Sequence, residues 1–218
     1  MTYVSWAILH EGNSDQFYFS IVIPALMEEL VCARGTRNAT IPQAPAVVLG
    51  AMGRAVADVA KEACKEHEAF QILFIHADTG GRALEAGMAP HSINYQQAIC
   101  DLCGFPLARC VIIAPRHETE AWILADREAV GGALGYRGDL ASLGLPGNAR
   151  EAERLVNPKE ILRQAVRKVR GRRTIPNTKQ IITAIAQRQS FEKLRRSASF
   201  TDFYNALADA LVNLGCIE

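Results

Sequence analysis

The sequence lacks the two features that direct a chain into or across a membrane. No basic residue precedes its first apolar stretch, residues 3–9, and that stretch is too short to cross a bilayer. We therefore expect a cytoplasmic protein with no membrane association. In the cytoplasm the 6 cysteines are expected to be reduced thiols rather than a disulfide framework.

The glycine fingerprints of nucleotide-binding proteins are also missing. The turn at residues 49–54 contains neither the Gly-Lys-Ser/Thr of a phosphate-binding loop nor the glycine triplet of a dinucleotide fold. We interpret it as a tight turn. The loop that starts at Asp78 contains Gly80 and Gly81, which allow backbone amides to approach an anion.

Charged residues are few, at 22%, whereas 49% of the residues are hydrophobic, and this excludes general disorder. At 218 residues, the chain suits one main domain with a smaller appendage. The net charge of +1 is unevenly distributed. Residues 1–149 contain 10 Lys and Arg against 16 Asp and Glu, whereas residues 150–199 contain 14 against 4. An acidic front and a basic back are expected.

Short β-branched and aromatic runs alternate with amphipathic stretches over the first two thirds of the chain. This pattern predicts an α/β fold with a Rossmann-like, mainly parallel sheet of about four strands flanked by helices, followed by a C-terminal helical appendage. The predicted strands are residues 3–9, 45–49, 70–75 and 109–114, and the last helix of this part is 119–133. The high density of glycine from residue 131 to residue 147 predicts a linker. The expected division is 1–135 for the α/β domain, 136–156 for the linker and 157–218 for the basic helices.

Acidic residues follow three of the predicted strands. Glu11 follows the first and Asp78 the third, while Glu118 and Glu120 follow the fourth. Ligands of open parallel sheets bind beyond the carboxyl ends of the strands, so these acids are expected in one crevice. Carboxylates this close repel one another unless a cation neutralises them, and oxygen ligands suit Mg²⁺ or Mn²⁺. The alternative is that they are ordinary helix-capping residues.

Three segments carry a resemblance to a known family. Residues 11–15, Glu-Gly-Asn-Ser-Asp, resemble the opening motif of Toprim domains of the OLD-nuclease type, and His76-Ala77-Asp78 resembles their Asp-x-Asp signature. Residues 115–122 are similar to a less characterised Toprim-like group encoded beside ATPases in prokaryotic defence loci. The resemblance covers about residues 1–135 and implies a Toprim-like metal-binding domain. Its implied ligands are Glu11, Asp15, His76, Asp78, Glu118 and Glu120.

The first Asp of the Asp-x-Asp signature is replaced by His76. Histidine binds Mn²⁺ better than Mg²⁺, so the number of metal ions, one or two, stays open. The resemblance also implies that Lys179 contacts the scissile phosphate, as a C-terminal lysine does in OLD-type nucleases. His117, beside the acids, is a candidate for proton transfer or phosphate positioning, with support of the acids as the alternative.

The densest run of basic residues predicts a surface that binds a polyanion, because Lys and Arg release counterions from phosphates. Its members are Arg163, Arg167, Lys168, Arg170, Arg172 and Arg173. The alternatives are a solvated helix surface and a docking face for the acidic part of a neighbouring subunit.

These features predict a metal-dependent nuclease that acts on nucleic acid, DNA rather than RNA, with Glu11, Asp78, Glu118, His117 and Lys179 as catalytic candidates. The resemblance implies an effector of prokaryotic defence with an ATPase partner. Two alternatives stay open. One is a non-catalytic Toprim-like protein that binds nucleic acid or a partner. The other is a small-molecule phosphohydrolase whose basic helices serve homo-oligomerisation.

Overall fold

The computed structural model describes residues 2–10, 12–36, 38–51, 53–76, 92–171 and 178–218. The chain divides into two compact units. Unit 1 comprises Met1–Ala77, Leu84–Ala114 and Phe203–Glu218, and unit 2 comprises Asp78–Ala83 and Pro115–Asp202. The expected boundaries were residues 135 and 156. In the structure the boundary lies between residues 114 and 115, and residues 203–218 belong to unit 1.

The described residues form strands in two parallel sheets. They are β1 (Thr2–Tyr3), β2 (Trp6–His10), β3 (Ala39–Thr40), β4 (Val47–Gly50), β5 (Ile72–His76) and β6 (Cys110–Ile113). The main sheet has the order β4-β2-β5-β6, and β1 pairs separately with β3. Every residue of β2 and β5 is buried, as expected for central strands covered on both faces. The predicted α/β fold with a parallel sheet of about four strands is confirmed.

The helices follow the strands as the periodicity predicts. They are α1 (Asn13–Arg34), α2 (Val56–Lys65), α3 (Asn94–Cys103), α4 (Glu120–Ile123), α5 (Arg127–Leu134), α6 (Ala149–Ala152), α7 (Pro158–Arg170), α8 (Thr178–Ala186), α9 (Phe191–Leu194) and α10 (Ala198–Asn213). The helix expected at residues 119–133 is two helices, because Asp126 starts α5 by accepting a hydrogen bond from the backbone N–H of Ala129.

The two faces of the main sheet bury different side chains. On one face, Leu9 and Ile75 join a cluster with Val59 of α2 and Ile99 of α3. On the other face, the ring of Phe74 lies 5.9 Å from that of Trp6 and 6.2 Å from that of Phe203, centroid to centroid. Because side chains alternate along a strand, each strand supplies both layers of the core.

Helix α1 is long and apolar enough between Asp15 and Arg34 to cross a membrane by length and composition alone. Its residues Tyr18, Val22 and Leu26 are fully buried inside unit 1. These residues form the buried face of the helix, and 44% of the apolar window is buried inside the structure.

One expectation about the cysteines is wrong. Cys64 and Cys103 form a disulfide between α2 and α3, with Cα atoms 5.6 Å apart. The packing of these two helices, which the sequence does not reveal, brings the residues within the Cα distance that a disulfide requires. Within the described part of the chain, Cys32, Cys100, Cys110 and Cys216 do not take part in a disulfide.

The stretch expected as a linker, residues 136–156, is part of the packed core of unit 2. It contains a 3₁₀ helix at Leu140–Leu143 and the helix α6, and it buries Leu143, Leu145 and Ala149. One of its glycines ends a helix. Gly144, with a φ of 73°, ends the 3₁₀ helix in the left-handed region that favours glycine.

We expect Phe74→Ala to lower the free energy of unfolding by about 3–5 kcal/mol, because it removes a fully buried ring between two aromatic neighbours. Urea unfolding followed by circular dichroism measures the change. Tyr3→Ala, at a side chain that is 58% exposed, serves as the control and is expected to cost less than about 1 kcal/mol. Equal effects of the two substitutions would contradict the described core.

Candidate functional site

The order of the main sheet marks where a ligand is expected. The chain passes from β2 to β4 on one side and then to β5 on the other, so the direction of winding reverses between β2 and β5. In open α/β sheets, ligands bind outside the carboxyl ends of the strands at this point of reversal. The two strands end at His10 and His76.

The register of β2 and β5 places these two histidines side by side. Leu9 pairs with Ile75, and His10 and His76 are the next residue on each strand. Their side chains point away from the face that Leu9 and Ile75 occupy, because side chains alternate along a strand. They therefore share the face that α1 covers, where the ring of Phe19 lies 4.8 Å from that of His76.

Asp15, in the first turn of α1, joins this pair. Its Oδ2 accepts a hydrogen bond from the backbone N–H of Gly12 at 3.0 Å and lies 3.5 Å from Nε2 of His76. Nδ1 of His76 lies 3.2 Å from the carbonyl oxygen of Ile113 on β6. A proton on Nδ1 donates to that oxygen, which fixes the ring and directs Nε2 toward the carboxylate.

His10 is a site residue that sequence reasoning missed, because a lone histidine at a strand end suggests only the end of the strand. It is 6% exposed, and its Nδ1 has no hydrogen-bond partner among the described residues. Burial lowers its pKa, and the charge of Asp15 raises it. A hydrogen bond to the backbone of Gly12 also raises the pKa, and the charge of His76 lowers it. The net result is a pKa below the usual value. His10 is therefore neutral at pH 7, with an imidazole nitrogen available to a proton or a ligand.

The structure brings together two of the six predicted metal ligands, Asp15 and His76. Glu11 and Asp78 lie outside the described residues. Glu118 and Glu120 belong to unit 2. Within the described ranges, no group of three or more His, Cys, Asp or Glu side chains is arranged to hold a metal ion.

Glu118 and Glu120 lie at the starts of two helices of unit 2. Oε2 of Glu118 accepts a hydrogen bond from the backbone N–H of Lys159 at 3.3 Å, at the first turn of α7. A carboxylate there is stabilised by the positive end of the helix dipole. Glu120, the first residue of α4, is 6% exposed. The helix-capping alternative expected Glu118 at the start of its own helix, whereas the observed contact is with the start of α7.

His117 and Lys179, the remaining catalytic candidates, also belong to unit 2. Among the described residues, His117 is the one non-glycine residue with a positive φ, 69°. Such backbone is uncommon for a residue with a side chain and is found more often at functional sites. Lys179 lies in the first turn of α8 with an exposed side chain.

Helix α7 separates its apolar and basic residues. Leu162, Ala165 and Val166 are buried, whereas the basic residues Arg163, Arg167, Lys168 and Arg170 are exposed. Arg163 pairs with Glu160, and Nζ of Lys168 donates to the carbonyl oxygen of Ser142 at 2.8 Å. Arg172 and Arg173 lie outside the described residues. Residues 115–202 as a whole contain 17 Lys and Arg against 10 Asp and Glu.

No family model, curated protein or solved structure matches this chain. The Toprim-like resemblance and the roles that it implies therefore stay predictions.

We expect Asp15→Asn to lower the free energy of unfolding by about 1–3 kcal/mol, because the buried side chain loses the negative charge that accepts the hydrogen bond from the N–H of Gly12. Asp209→Asn removes a carboxylate from an exposed position of α10 and is expected to change stability by less than about 0.5 kcal/mol. Chemical denaturation compares the two variants. An Asp15 variant as stable as the wild-type protein would show that the carboxylate does not anchor α1.

Proposed function

We propose that the protein is a divalent-metal-dependent nuclease that hydrolyses phosphodiester bonds. The observation that carries the proposal is the contact of His76 with Asp15 where the sheet reverses its winding. Beside it lies Nδ1 of His10, which has no hydrogen-bond partner in the part of the chain that the structure describes. Buried polar atoms normally have partners, so Nδ1 of His10 is open to a hydrogen bond from a water molecule or a ligand in the crevice.

The donor set fits a metal of the Mn²⁺ type. Nε2 of His76 and the carboxylate of Asp15 are an imidazole and an oxygen donor, a combination that suits Mn²⁺ better than Mg²⁺. Glu11 and Asp78, each within two residues of these strand ends, would complete the ligands. A bound divalent ion would activate a water molecule and neutralise charge on the phosphate.

In this proposal, the residues around the site orient the metal ligands and accept a proton. The carbonyl of Ile113 holds the ring of His76, and the N–H of Gly12 holds the carboxylate of Asp15, so both donors are oriented before a ligand arrives. Neutral His10 accepts a proton at Nδ1 from a water molecule in the crevice. The roles of His117, Glu118 and Lys179 toward a phosphate are proposed from the family resemblance alone.

The basic composition of unit 2 supports a polyanionic substrate. The exposed basic residues of α7 neutralise backbone phosphates of nucleic acid, for which we propose DNA rather than RNA. The role as a cytoplasmic defence effector with an ATPase partner is proposed from the family resemblance.

A second candidate function is non-catalytic binding of nucleic acid or a partner. The observation that favours it is that the side chain of His76 is fully buried and already held between Asp15 and Ile113. In that case the histidine and the carboxylate serve as a polar anchor of α1, and His76 marks a metal site that has been lost.

Purified protein is expected to cleave plasmid or single-stranded DNA in Mn²⁺, and less rapidly in Mg²⁺, because imidazole is a poor Mg²⁺ ligand. Glu11→Gln and Asp78→Asn are each expected to reduce cleavage by about 100-fold or more, since each removes a ligand of the ion. Gel electrophoresis of DNA, and of tRNA in parallel, measures the activity.

Glu68→Gln removes an exposed carboxylate of unit 1 and is the matched control, expected to cleave at the wild-type rate. Calorimetric titration with Mn²⁺ supplies a second readout for each variant. Cleavage that survives both ligand substitutions would reject the site. Mn²⁺ binding that is unchanged in both ligand variants, or no Mn²⁺ binding by the wild-type protein, would favour the non-catalytic candidate.

Affinity for nucleic acid is expected to fall steeply with salt concentration, because phosphate neutralisation releases counterions. Arg163→Ala combined with Arg167→Ala is expected to reduce the log–log salt slope by about 2. Lys61→Ala with Lys65→Ala removes the same charge from exposed positions of α2 and is expected to leave the slope unchanged. Fluorescence anisotropy measures the affinity at each salt concentration. A flat wild-type response would favour a small-molecule phosphohydrolase.

A further inference from the structure

Unit 2 contains a cavity of about 440 Å³ whose charged lining is mostly arginine. The arginines are Arg116, Arg150, Arg154, Arg195 and Arg196, and the acids in the lining are Glu153 and Asp202. These seven side chains leave a net charge of +3 around the cavity. The volume lies within the range of ordinary ligand pockets. We call this feature the arginine cavity.

Three chain segments build the arginine cavity. Arg150 lies in α6, and Arg154 lies in the turn that follows it, where its backbone N–H donates to the carbonyl oxygen of Glu151. Arg195 and Arg196 follow the end of α9, and Arg116 lies shortly after β6. All five arginines are exposed to solvent. The guanidinium groups therefore reach the cavity from separate segments and remain accessible to a ligand.

Glu153 holds two of these segments together. Its carboxylate accepts hydrogen bonds from Oγ of Ser197 at 2.6 Å, from the backbone N–H of Ala198 at 3.0 Å and from the backbone N–H of Ser199 at 2.9 Å. Oγ of Ser199 donates a fourth. Glu153, the residue that follows α6, is thereby fixed to the start of α10. The two arginines that follow α9 come directly before this contact.

The same hydrogen bonds determine the charge of Glu153. Burial raises its pKa, but the hydrogen bonds from Ser197, Ser199 and the backbone outweigh burial and hold the pKa below its usual value. The carboxylate is therefore ionised, and its lone pairs point to the serines and to the start of α10. It stabilises the helix end rather than serving as a bidentate partner of the surrounding arginines.

Three of the five arginines have no acidic partner among the described residues. Within the described part of the chain, Arg116, Arg150 and Arg154 have no carboxylate within 4 Å. Arg196 pairs with Glu192 at 3.4 Å between two exposed side chains, an interaction worth little in water. Positive charges gathered around one cavity repel each other, and a multiply charged anion removes that repulsion.

From this geometry we propose that the arginine cavity binds phosphate. Guanidinium groups match phosphate oxygens with paired N–H donors, and the net charge of +3 suits a ligand that bears several negative charges. The phosphate comes either from the backbone of a nucleic acid or from a small di- or triphosphate. The site uses residues of unit 2 alone and does not depend on the metal chemistry proposed above.

The test uses the full-length protein in EDTA, so that cleavage does not contribute. Calorimetry measures binding of inorganic pyrophosphate, and anisotropy measures binding of a labelled single-stranded oligonucleotide. Arg150→Ala with Arg154→Ala is expected to raise the Kd of at least one of these probes by about tenfold or more, since two charge-assisted contacts are lost. Lys61→Ala with Lys65→Ala, which removes equal charge from α2, is expected to stay within about twofold of wild type.

The two probes distinguish the sources of phosphate. A loss confined to the oligonucleotide assigns the cavity to a nucleic-acid backbone, and a loss confined to pyrophosphate assigns it to a small phosphate ligand. Wild-type protein that binds neither probe overturns the proposal, as does binding of both probes that survives in the arginine variant.

A second measurement needs no substitution and so does not depend on the folding of a variant. Phenylglyoxal modifies accessible arginines, and mass spectrometry maps the modified positions. Whichever probe binds is expected to protect Arg150 and Arg154 while leaving Arg137, an exposed arginine outside the cavity lining, as reactive as before. Equal protection at all three positions, or none at Arg150 and Arg154, contradicts the proposal.

Discussion

The parallel pairing of β2 with β5 is the constraint on which the chemistry of unit 1 depends. Its register aligns Leu9 with Ile75, and the alternation of side chains then sends one residue of each strand to the core and the next to the opposite face. His10 and His76 are brought together for this reason alone. A shift of one residue in this pairing would move the side chains of one strand to the other face of the sheet and separate the two imidazoles.

The same constraint explains why α1 begins where it does. Its apolar residues fill the face of the sheet that contains Phe74 and His76, and this packing places Asp15 in its first turn beside His76. A buried carboxylate is unfavourable without partners, and both the N–H of Gly12 and the imidazole of His76 supply them. Core packing and site geometry in unit 1 are therefore consequences of one arrangement. In unit 2, Glu153 has a comparable effect, because one buried carboxylate fixes the segments that present the arginines.

Much of the fold follows from the sequence because its strands are short, apolar and regularly spaced. Runs such as residues 70–75 have the composition of buried parallel strands, and their order along the chain leaves few topologies. Features set by tertiary contacts were beyond reach. The disulfide between Cys64 and Cys103 depends on how α2 packs on α3, and the packed stretch at 136–156 has the glycine content of a loop.

Part of the site was accessible from the sequence. Asp15 and His76 were expected from the resemblance of their segments to a known family, whereas the strand-end rule gave Glu11 and Asp78, which lie outside the described residues. The place of His10 in the site depends on its burial and on its neighbour across the sheet. Glu118 shows the opposite case, since an acid after a strand also fits the start of a helix, and its observed contact is with Lys159 of α7. Charge patterning indicated a basic C-terminal region but not the arginine cavity, whose members lie far apart in the sequence.

The most direct test of a metal site at this sheet edge is paramagnetic broadening of histidine side-chain resonances by Mn²⁺. In ¹H–¹⁵N spectra, substoichiometric Mn²⁺ is expected to broaden the imidazole signals of His10 and His76 first, while His67, which lies after α2 with Nδ1 against the carbonyl of Cys64, stays sharp. Signals of His10 and His76 that persist at stoichiometric Mn²⁺, or that broaden no earlier than that of His67, would contradict it.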